Sequence, residues 1–455
     1  MSKAEPTLED VTPPPPTPVG GPAPGARGAL TLLLAINLFN YVDRYVLSAV
    51  EPDIQKHMFK PGDPNAEALM GVLASAFMIS YMVMAPVLGW LADRMSRWVL
   101  IGLSVIAWSL ASGASGLAQF FTMLLITRLF VGIGEAGYGP AAPTIISDLY
   151  PVSHRGSILS WFYAAIPVGS ALGYVIGGQI TQHFSWRMAF YAVVPPGLLL
   201  GILCFFMKDP PRGQSDQGVH NAGKKASMAD YLVLLKTPSY VLATLGMAAM
   251  TFAIGGISFW IPKYFVGRPH APTLGQVNTI FGAIVVVAGL LATLAGGWTG
   301  DKLRSRFSGS YFLVSGVGIL IACPFVVAMV YAPFPWTWVM CFIAVFFLFF
   351  NTGPSNAILA NVSHPSVRAT AFALNIFVIH LLGDVASPPI LGKIGHYSWP
   401  AAYLVVAATM ALAGVLWLWG AKHLQRDTEL AATRLDTPGG FPIEPNNKGD
   451  GQNHG

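Results

Sequence analysis

Charge is scarce in this sequence. Asp, Glu, Lys and Arg make up only 10% of the 455 residues, whereas soluble domains carry roughly 25%. Hydrophobic residues make up 54%, and the mean hydropathy is +0.56. This composition excludes an ordinary soluble domain and indicates a chain built for lipid.

Cysteine is also scarce, and the motifs of common membrane enzymes are missing. Cys204, Cys323 and Cys341 lie far apart in apolar segments, so they suit neither a disulfide framework nor a metal site. The sequence contains no H-E-x-x-H motif, no serine elbow and no P-loop. We therefore expect no enzyme, no ATP-driven pump, no cofactor and no metal.

Long apolar runs are abundant, and each is long enough to cross a bilayer as a helix. Runs such as 345–350 (VFFLFF) do not alternate, which excludes a porin-like barrel. The sequence predicts an all-α membrane protein with twelve transmembrane helices. They lie near residues 29–50, 69–91, 98–119, 121–148, 157–182, 187–207, 239–262, 275–299, 310–332, 336–360, 367–391 and 400–422.

The distribution of basic residues predicts the orientation of these helices. An even number of helices puts both termini on one side, where 18 of the 26 Lys and Arg residues then fall, against six on the other. By the positive-inside rule both termini are cytoplasmic, in the cell (inner) membrane. The net charge of +5 follows from this bias and does not indicate nucleic-acid binding.

The same pattern divides the chain into five segments. Two six-helix halves, 29–207 and 239–423, are joined by a cytoplasmic linker, 208–238, in which Ser227 and Asp230 suit the cap of an amphipathic helix. The proline-rich N-terminus, 1–28, and the tail, 424–455, have compositions typical of disorder.

One phrase occurs twice and relates the two halves. Residues 89–97 read GWLADRMSR, and residues 297–305 read GWTGDKLRS. Each copy ends a long apolar run and opens a basic loop, so the repeat unit is half of a pseudo-symmetric bundle. We expect the glycines to allow close helix approach and the charges to hold the cytoplasmic helix ends together until the halves separate. These gating residues are Gly89, Asp93, Arg94, Arg97, Asp148, Gly297, Asp301, Lys302 and Arg304.

Ionisable residues inside the predicted helices need a reason, because each is costly in lipid. Arg44 shares one helix face with Asn40 and Tyr41, and Asp43 lies next to it. In the fourth helix Arg128 and Glu135 lie on one stripe about 10 Å apart, too far for a direct pair without a third group. Arginines bind phosphate or carboxylate in a fork, and desolvated carboxylates can carry protons.

The C-terminal half offers fewer polar groups. His380 and Asp384 are four residues apart on the eleventh helix, and Ser355 and Asn356 lie on the tenth. The alternative for all these charges is a structural lock between helices. Four charges in two helices exceed what packing requires, whereas for His380 and Asp384 both interpretations stand.

The candidate site follows from these positions. The predicted substrate-binding residues are Asn40, Tyr41, Arg44, Arg128, Glu135, Ser355, Asn356 and His380. The predicted proton-coupling residues are Asp43, Glu135 and Asp384.

A further stripe consists of glycines. Gly169, Gly173, Gly177 and Gly178 give the fifth helix one smooth edge, which predicts tight helix packing and, as a set, a sliding surface between the halves.

These motifs together resemble the major facilitator superfamily. Residues 89–97 match its loop signature between helices two and three, residues 297–305 match the second copy, and Arg128-x3-Gly132-x-Gly134 matches its helix-four signature. The four glycines of the fifth helix are similar to the signature that antiporters of this superfamily carry in that helix, although Tyr174 stands where proline is usual. The resemblance covers roughly residues 30–423.

Within that superfamily the chain resembles the spinster family of lysolipid and sphingolipid transporters. The matching stretches are NYxDR (40–44), GEAxY (134–138), APTIIxDL (142–149), FYxAIPVGSxLGY (162–174) and PPRG (210–213). The resemblance implies transport of sphingosine-1-phosphate, a sphingolipid or a lysophospholipid, with proton coupling. It makes Asp43, Arg44, Arg128 and Glu135 the headgroup and proton site, and the compact loops resemble those of a bacterial homologue.

We therefore expect a monomeric secondary transporter in contact with membrane lipids, with the proton as coupling ion. The substrate is an anionic amphiphile. The alternative is a proton-coupled symporter of small organic anions, and a receptor that binds without flux is a third possibility.

Overall fold

The computed structural model describes residues 22–92, 94–150, 152–211, 233–363 and 368–431. Every regular element in these ranges is helical. Twelve segments of the described chain are long and apolar enough to cross a membrane. Called spans 1–12 below, they are Ala26–Met58, Ala66–Ala92, Arg97–Gly116, Phe121–Leu149, Trp161–His183, Trp186–Cys204, Pro238–Val266, Leu274–Arg304, Ser310–Tyr331, Trp336–Val362, Ala371–Tyr397 and Trp399–Gly420.

The predicted all-helical fold with twelve spans is confirmed, with differences at several ends. The helix of span 5 begins at Val152, and a short helix, Leu424–Leu430, follows span 12. Span 1 continues to Met58 rather than ending near residue 50. The apolar pattern stops at Glu51, but the helix continues because Glu51 is buried against the C-terminal half. Most of the linker, with Ser227 and Asp230, lies outside the described residues, and the five segment boundaries stay predictions.

Spans 4 and 10 are each interrupted at corresponding points. Span 4 consists of Phe121–Glu135 and Tyr138–Leu149, and span 10 of Trp336–Phe349 and Thr352–Val362. In both cases a Gly-Pro pair (139–140 and 353–354) occupies the first turn of the second helix. Proline has no N–H to continue the preceding helix. The matching breaks are a second sign of the relation between the halves.

Span 11 is also irregular. It contains the helix Arg368–Ile379, a π-helical segment His380–Asp384 and the helix Ser387–Tyr397. The N–H of Val385 donates to the carbonyl of His380 at 3.0 Å. Such π segments are rare and often occur at functional positions.

The two halves meet away from the termini. We call the side of the bundle at which span 1 begins the terminal side, and the other side of the bundle the opposite side. Span 5 packs against span 8, and span 2 packs against the last helix of span 11. Asn278 donates to the carbonyl of Ala49 at 3.0 Å, and a Cβ at Gly71 would lie 2.4 Å from the carbonyl carbon of Pro388. The bundle is therefore closed on the opposite side.

The glycine edge of span 5 mostly faces its own half. A Cβ at Gly169 would lie 2.5 Å from the carbonyl oxygen of Leu38, and one at Gly173 2.6 Å from that of Val42. Gly177 likewise packs against span 1. Gly178 alone of the four meets the other half, at Asn278. The prediction of tight packing agrees with these contacts, whereas a sliding surface between the halves is wrong for three of the four glycines.

Candidate transport site

An ion pair between spans 1 and 4 forms the centre of the site. Nε of Arg44 donates to Oε2 of Glu135 at 2.6 Å. The Glu135 side chain is fully buried, whereas that of Arg44 is 19% exposed. Arg44, and not Arg128, is therefore the direct partner of Glu135, and it is the more exposed member of the pair.

Arg128 and Asp43 are as deeply buried as Glu135. Arg128 is 1% exposed, and neither its Nε nor its Nη1 has a hydrogen-bond partner among the described residues. Asp43 accepts a hydrogen bond from Ser112 of span 3 through Oδ1, while its Oδ2 is unpartnered in the described chain. Arg128 interacts electrostatically with both Asp43 and Glu135. These four residues, Asp43, Arg44, Arg128 and Glu135, are named the charged site.

Three aromatic rings surround Arg44, the partly exposed arginine of the pair. The guanidinium carbon of Arg44 lies 5.1 Å from the ring centre of Tyr41, 5.0 Å from that of Phe77 and 5.2 Å from that of Tyr81. Phe77 also lies 5.9 Å from Arg128. Aromatic faces stabilise a cation without neutralising it. The rings therefore add to the stabilisation of the Arg44 cation that Glu135 provides.

The remaining predicted residue of the N-terminal half is also at this site. Asn40 is buried one turn before Arg44, and its Nδ2 has no hydrogen-bond partner among the described residues. Phe77, Tyr81 and Ser112 were missed in the sequence. Phe77 lies in an apolar run, and Tyr81 and Ser112 are uncharged, so only the packing of spans 2 and 3 reveals them.

The predicted residues of span 10 have local partners. The hydroxyl of Ser355 donates to the carbonyl of Asn351 at 2.8 Å, and Ser355 is buried. The side-chain amide of Asn356 donates to the carbonyl of Thr352 at 2.8 Å and is exposed. Both hydrogen bonds lie within one helix, and the structure does not bring either residue into contact with the charged site.

His380 and Asp384 form a pair in the π-helical segment. Nδ1 of His380 lies 2.8 Å from Oδ2 of Asp384, and the two side chains are 27% and 23% exposed. Gly255 of span 7 leaves room for this carboxylate, because a Cβ there would lie 3.1 Å from its Oδ1. Tyr45, next to Arg44, interacts electrostatically with Asp384. The pair thus lies across the bundle from the charged site.

Of the gating residues in the first loop, Arg97 has the most contacts. Its Nη1 donates to Asp148 at 2.5 Å and its Nε to Asp209 at 2.9 Å. Its Nη2 donates to the carbonyl of Pro210 at 2.7 Å. Arg97 therefore ties spans 3, 4 and the end of span 6 together. Asp209 was missed because it follows the apolar run of span 6 in an ordinary polar loop.

Each copy of the repeated loop makes the same kind of internal contact, in which a basic side chain lies over the ring of the tryptophan four residues before it. The guanidinium of Arg94 lies 3.9 Å from the ring of Trp90, and Nζ of Lys302 lies 4.6 Å from that of Trp298. Asp93 lies outside the described residues.

The second copy otherwise pairs within its own half. Asp301 accepts from the hydroxyl of Tyr311 at 2.8 Å, and Arg304 lies 5.2 Å from the same ring.

A Cβ would fit at each repeated glycine, although the backbone of Gly297 lies close to span 10, where a Cβ at Gly353 would be 3.2 Å from the Gly297 Cα. A Cβ at Gly297 would meet nothing within 4 Å, and one at Gly89 would make an ordinary contact of 3.7 Å with Pro140. The tight position is the preceding Gly296, where a Cβ would lie 1.7 Å from the carbonyl oxygen of Phe350. The expected close approach is therefore present at Gly297 and tightest one residue earlier, at Gly296, whereas Gly89 makes only an ordinary contact.

Comparison with known proteins places the chain in a family. The sequence profile of the Major Facilitator Superfamily matches residues 33–388. The chain is 38% identical to protein spinster homolog 3 of Danio rerio over 384 residues, which cover 80% of this chain and 76% of that one. The chain belongs to the spinster family. It is also 36% identical to the sphingosine-1-phosphate transporter SPNS2 of Danio rerio, over 79% of this chain and 74% of that protein.

A solved structure gives the same fold. A bacterial homologue of the human lysosomal transporter spinster, in an inward-facing and unoccupied conformation, superposes with a TM-score of 0.74 at 22% identity. The match covers 89% of this chain and 97% of the other. This spinster-family chain is accordingly a multi-pass membrane transporter and not an enzyme.

Proposed function

We propose that the chain is a proton-coupled transporter of an anionic amphiphile, a lysophospholipid or a sphingosine-1-phosphate-like lipid, working by alternating access. The Arg44–Glu135 pair is the observation that carries the proposal. It combines a partly exposed cation with a fully buried carboxylate behind it. Its sphingosine-1-phosphate-transporting relative supports the substrate class.

The anion binds first at Arg44 in this mechanism. A phosphate can accept from the planar guanidinium in a bidentate manner, which a point charge cannot reproduce. The rings of Tyr41, Phe77 and Tyr81 line the approach and suit the first carbons of an amphiphile. The unpartnered Nε and Nη1 of Arg128 offer a second donor set within the same site.

Proton uptake follows from the loss of the ion pair. When an anion takes Arg44, Glu135 is left buried without its partner, which costs several kcal/mol for a charged group. Binding a proton removes that cost. When the substrate leaves, Arg44 returns to Glu135 and displaces the proton. Asp43 stands beside Arg128 as a second carboxylate able to take part.

The orientation of the chain completes the proposal. With the termini in the cytoplasm, closure on the opposite side corresponds to an inward-facing state. The basic residues support this orientation.

The test is transport by purified protein in proteoliposomes, with a fluorescent lysophospholipid and an imposed pH gradient. We expect Glu135→Gln to bind and exchange the lipid at equal pH but to lose acceleration by the gradient, because the amide stays uncharged. Glu429→Gln, an exposed glutamate on the terminal helix, is the matched control and should behave as wild type.

Three results would contradict the proposal. A normal response of Glu135→Gln to the gradient would move the proton site elsewhere, with Asp43 next. Competition by a short carboxylate, with none by the lysolipid, would instead favour a symporter of small organic anions. Binding without any flux in wild type would indicate a receptor.

A further inference from the structure

A second cluster of charged and polar side chains joins the two halves on the opposite side, far from the repeated loops. Its members are Glu51 and Gln55 of span 1, Glu67 of span 2, Lys263 of span 7 and His396 of span 11. The first three belong to one half and the last two to the other. These five residues are named the closing cluster.

Lys263 is the centre of this cluster. Its Nζ lies 3.5 Å from Oε1 of Glu51 and 3.2 Å from Oε1 of Glu67, and it also donates to Gln55. Nδ1 of His396 lies 3.2 Å from the other oxygen of Glu67. One cation of the C-terminal half thus serves two carboxylates of the N-terminal half.

The ion pairs of the closing cluster are largely buried, so separating them costs more free energy than separating exposed pairs would. The Glu51 side chain is fully buried and that of Lys263 is only 16% exposed. The rings of Trp260 and Trp399 lie 5.4 and 5.9 Å from Nζ of Lys263. An exposed ion pair contributes little, but separating a buried one leaves a charge without compensation. The closed arrangement therefore depends on the pairing.

The cluster also lines a cavity. A cavity of about 500 Å³ opens on the opposite side, and Gln55, Glu67, Lys263 and His396 all contribute to its lining. Beneath them lies the contact between the halves at Asn278 and Ala49. Four of the five cluster residues therefore line a vestibule on the opposite side.

Span 1 connects the cluster to the charged site. Arg44, Ser48, Glu51 and Gln55 follow one another at helical spacing on one stripe. Glu51 lies about 10 Å along the helix from Arg44. A movement of span 1 at one site therefore moves the other.

We propose that the closing cluster is the gate of the opposite side. The Lys263–Glu51 and Lys263–Glu67 pairs hold that side shut and must separate once in each transport cycle. Glu51 and Lys263 are then gating residues of this transporter, in addition to those of the repeated loops.

The experiment measures opening directly. Spin labels are attached at Asn65→Cys and Trp336→Cys. Both positions are exposed and lie on the opposite side, where spans 2 and 10 begin. Double electron–electron resonance between the two labels then reports the distance between the halves on that side. The native cysteines are replaced by alanine. We expect Glu51→Gln and Lys263→Gln each to increase the long-distance population roughly tenfold, because each loses a charge-assisted contact. Both should also slow lipid transport.

Matched controls lie on the same side of the protein. Lys60→Gln removes an exposed lysine just beyond span 1, and Lys393→Gln removes an exposed lysine of span 11. Neither should change the distance distribution. The double variant Glu51→Gln with Lys263→Gln should open little more than Lys263→Gln alone, since the lysine variant already removes the contact with Glu51.

Two outcomes would overturn the proposal. Wild-type distances in both single variants would show that the cluster does not hold the side closed. Additive opening in the double variant would show that the two residues act separately. Because the distances are read on folded, monodisperse protein, they report the gate independently of the lipid assay, and a failure of the proposed substrate leaves them unaffected.

Discussion

At the scale of single residues, the proposed mechanism gives Arg44 two tasks that conflict. It neutralises Glu135 at 2.6 Å, and it stands exposed to an incoming anion among three aromatic rings. Serving one partner means leaving the other. This competition is what couples substrate and proton in the proposed mechanism.

Replacement of Arg44 tests whether anion binding needs the bidentate geometry of the guanidinium group. We expect Arg44→Ala to weaken lysophospholipid binding at least about tenfold, because a charge-assisted hydrogen bond contributes roughly 1.5–3 kcal/mol. Arg44→Lys should restore binding only in part, since an ammonium cannot bind bidentately. Arg426→Lys, on the exposed side of the terminal helix, is the control. The measurement is binding of a fluorescent lysophospholipid to detergent-purified protein. Full affinity in Arg44→Lys would mean that the site needs charge alone.

The residues of the charged site could be predicted, but their pairing could not. Helical spacing places Arg128 and Glu135 on one stripe and requires a third group between them. It does not say which helix supplies that group. Arg44 pairs with Glu135, and Asp43 accepts a hydrogen bond from Ser112, because of the way in which spans 1, 3 and 4 pack.

At the scale of helices, the apolar pattern predicts the number of spans and misses their irregularities. Hydropathy cannot show the breaks in spans 4 and 10 or the π-helical segment of span 11, because these residues remain apolar enough for lipid. It also ended span 1 at Glu51, since the partner of that carboxylate lies 212 positions away at Lys263. The closing cluster was missed for the same reason.

The contact between spans 1 and 5 can be tested at one glycine. In Gly173→Ala the new Cβ would lie 2.6 Å from the carbonyl oxygen of Val42. Backbone cannot move aside cheaply, so we expect a loss of roughly 1–3 kcal/mol of stability. Gly28→Ala, where a Cβ meets nothing within 4 Å, should be neutral or slightly stabilising. Thermal unfolding in detergent measures both. Equal melting temperatures for the two variants would refute tight packing at this position.

At the scale of the whole molecule, the predicted orientation in the membrane can be tested by chemical labelling. We expect Lys393→Cys, on the exposed end of span 11, to react with an impermeant maleimide in intact cells. Gln425→Cys, beyond span 12, should react only after permeabilisation. The reverse pattern would place the termini outside and reverse the assignment of the closed side.

The glycine contacts of span 5 have a mechanical consequence. Spans 1 and 5 approach so closely at Gly169, Gly173 and Gly177 that neither can rotate or slide past the other without backbone collision. The two helices must therefore tilt as one rigid body. Span 5 carries the contact with span 8, whereas span 1 carries both Arg44 and Glu51. In the proposed mechanism, any tilt that parts spans 5 and 8 consequently displaces Arg44 and Glu51 through the same angle, so that stiffness as well as charge links anion binding to opening.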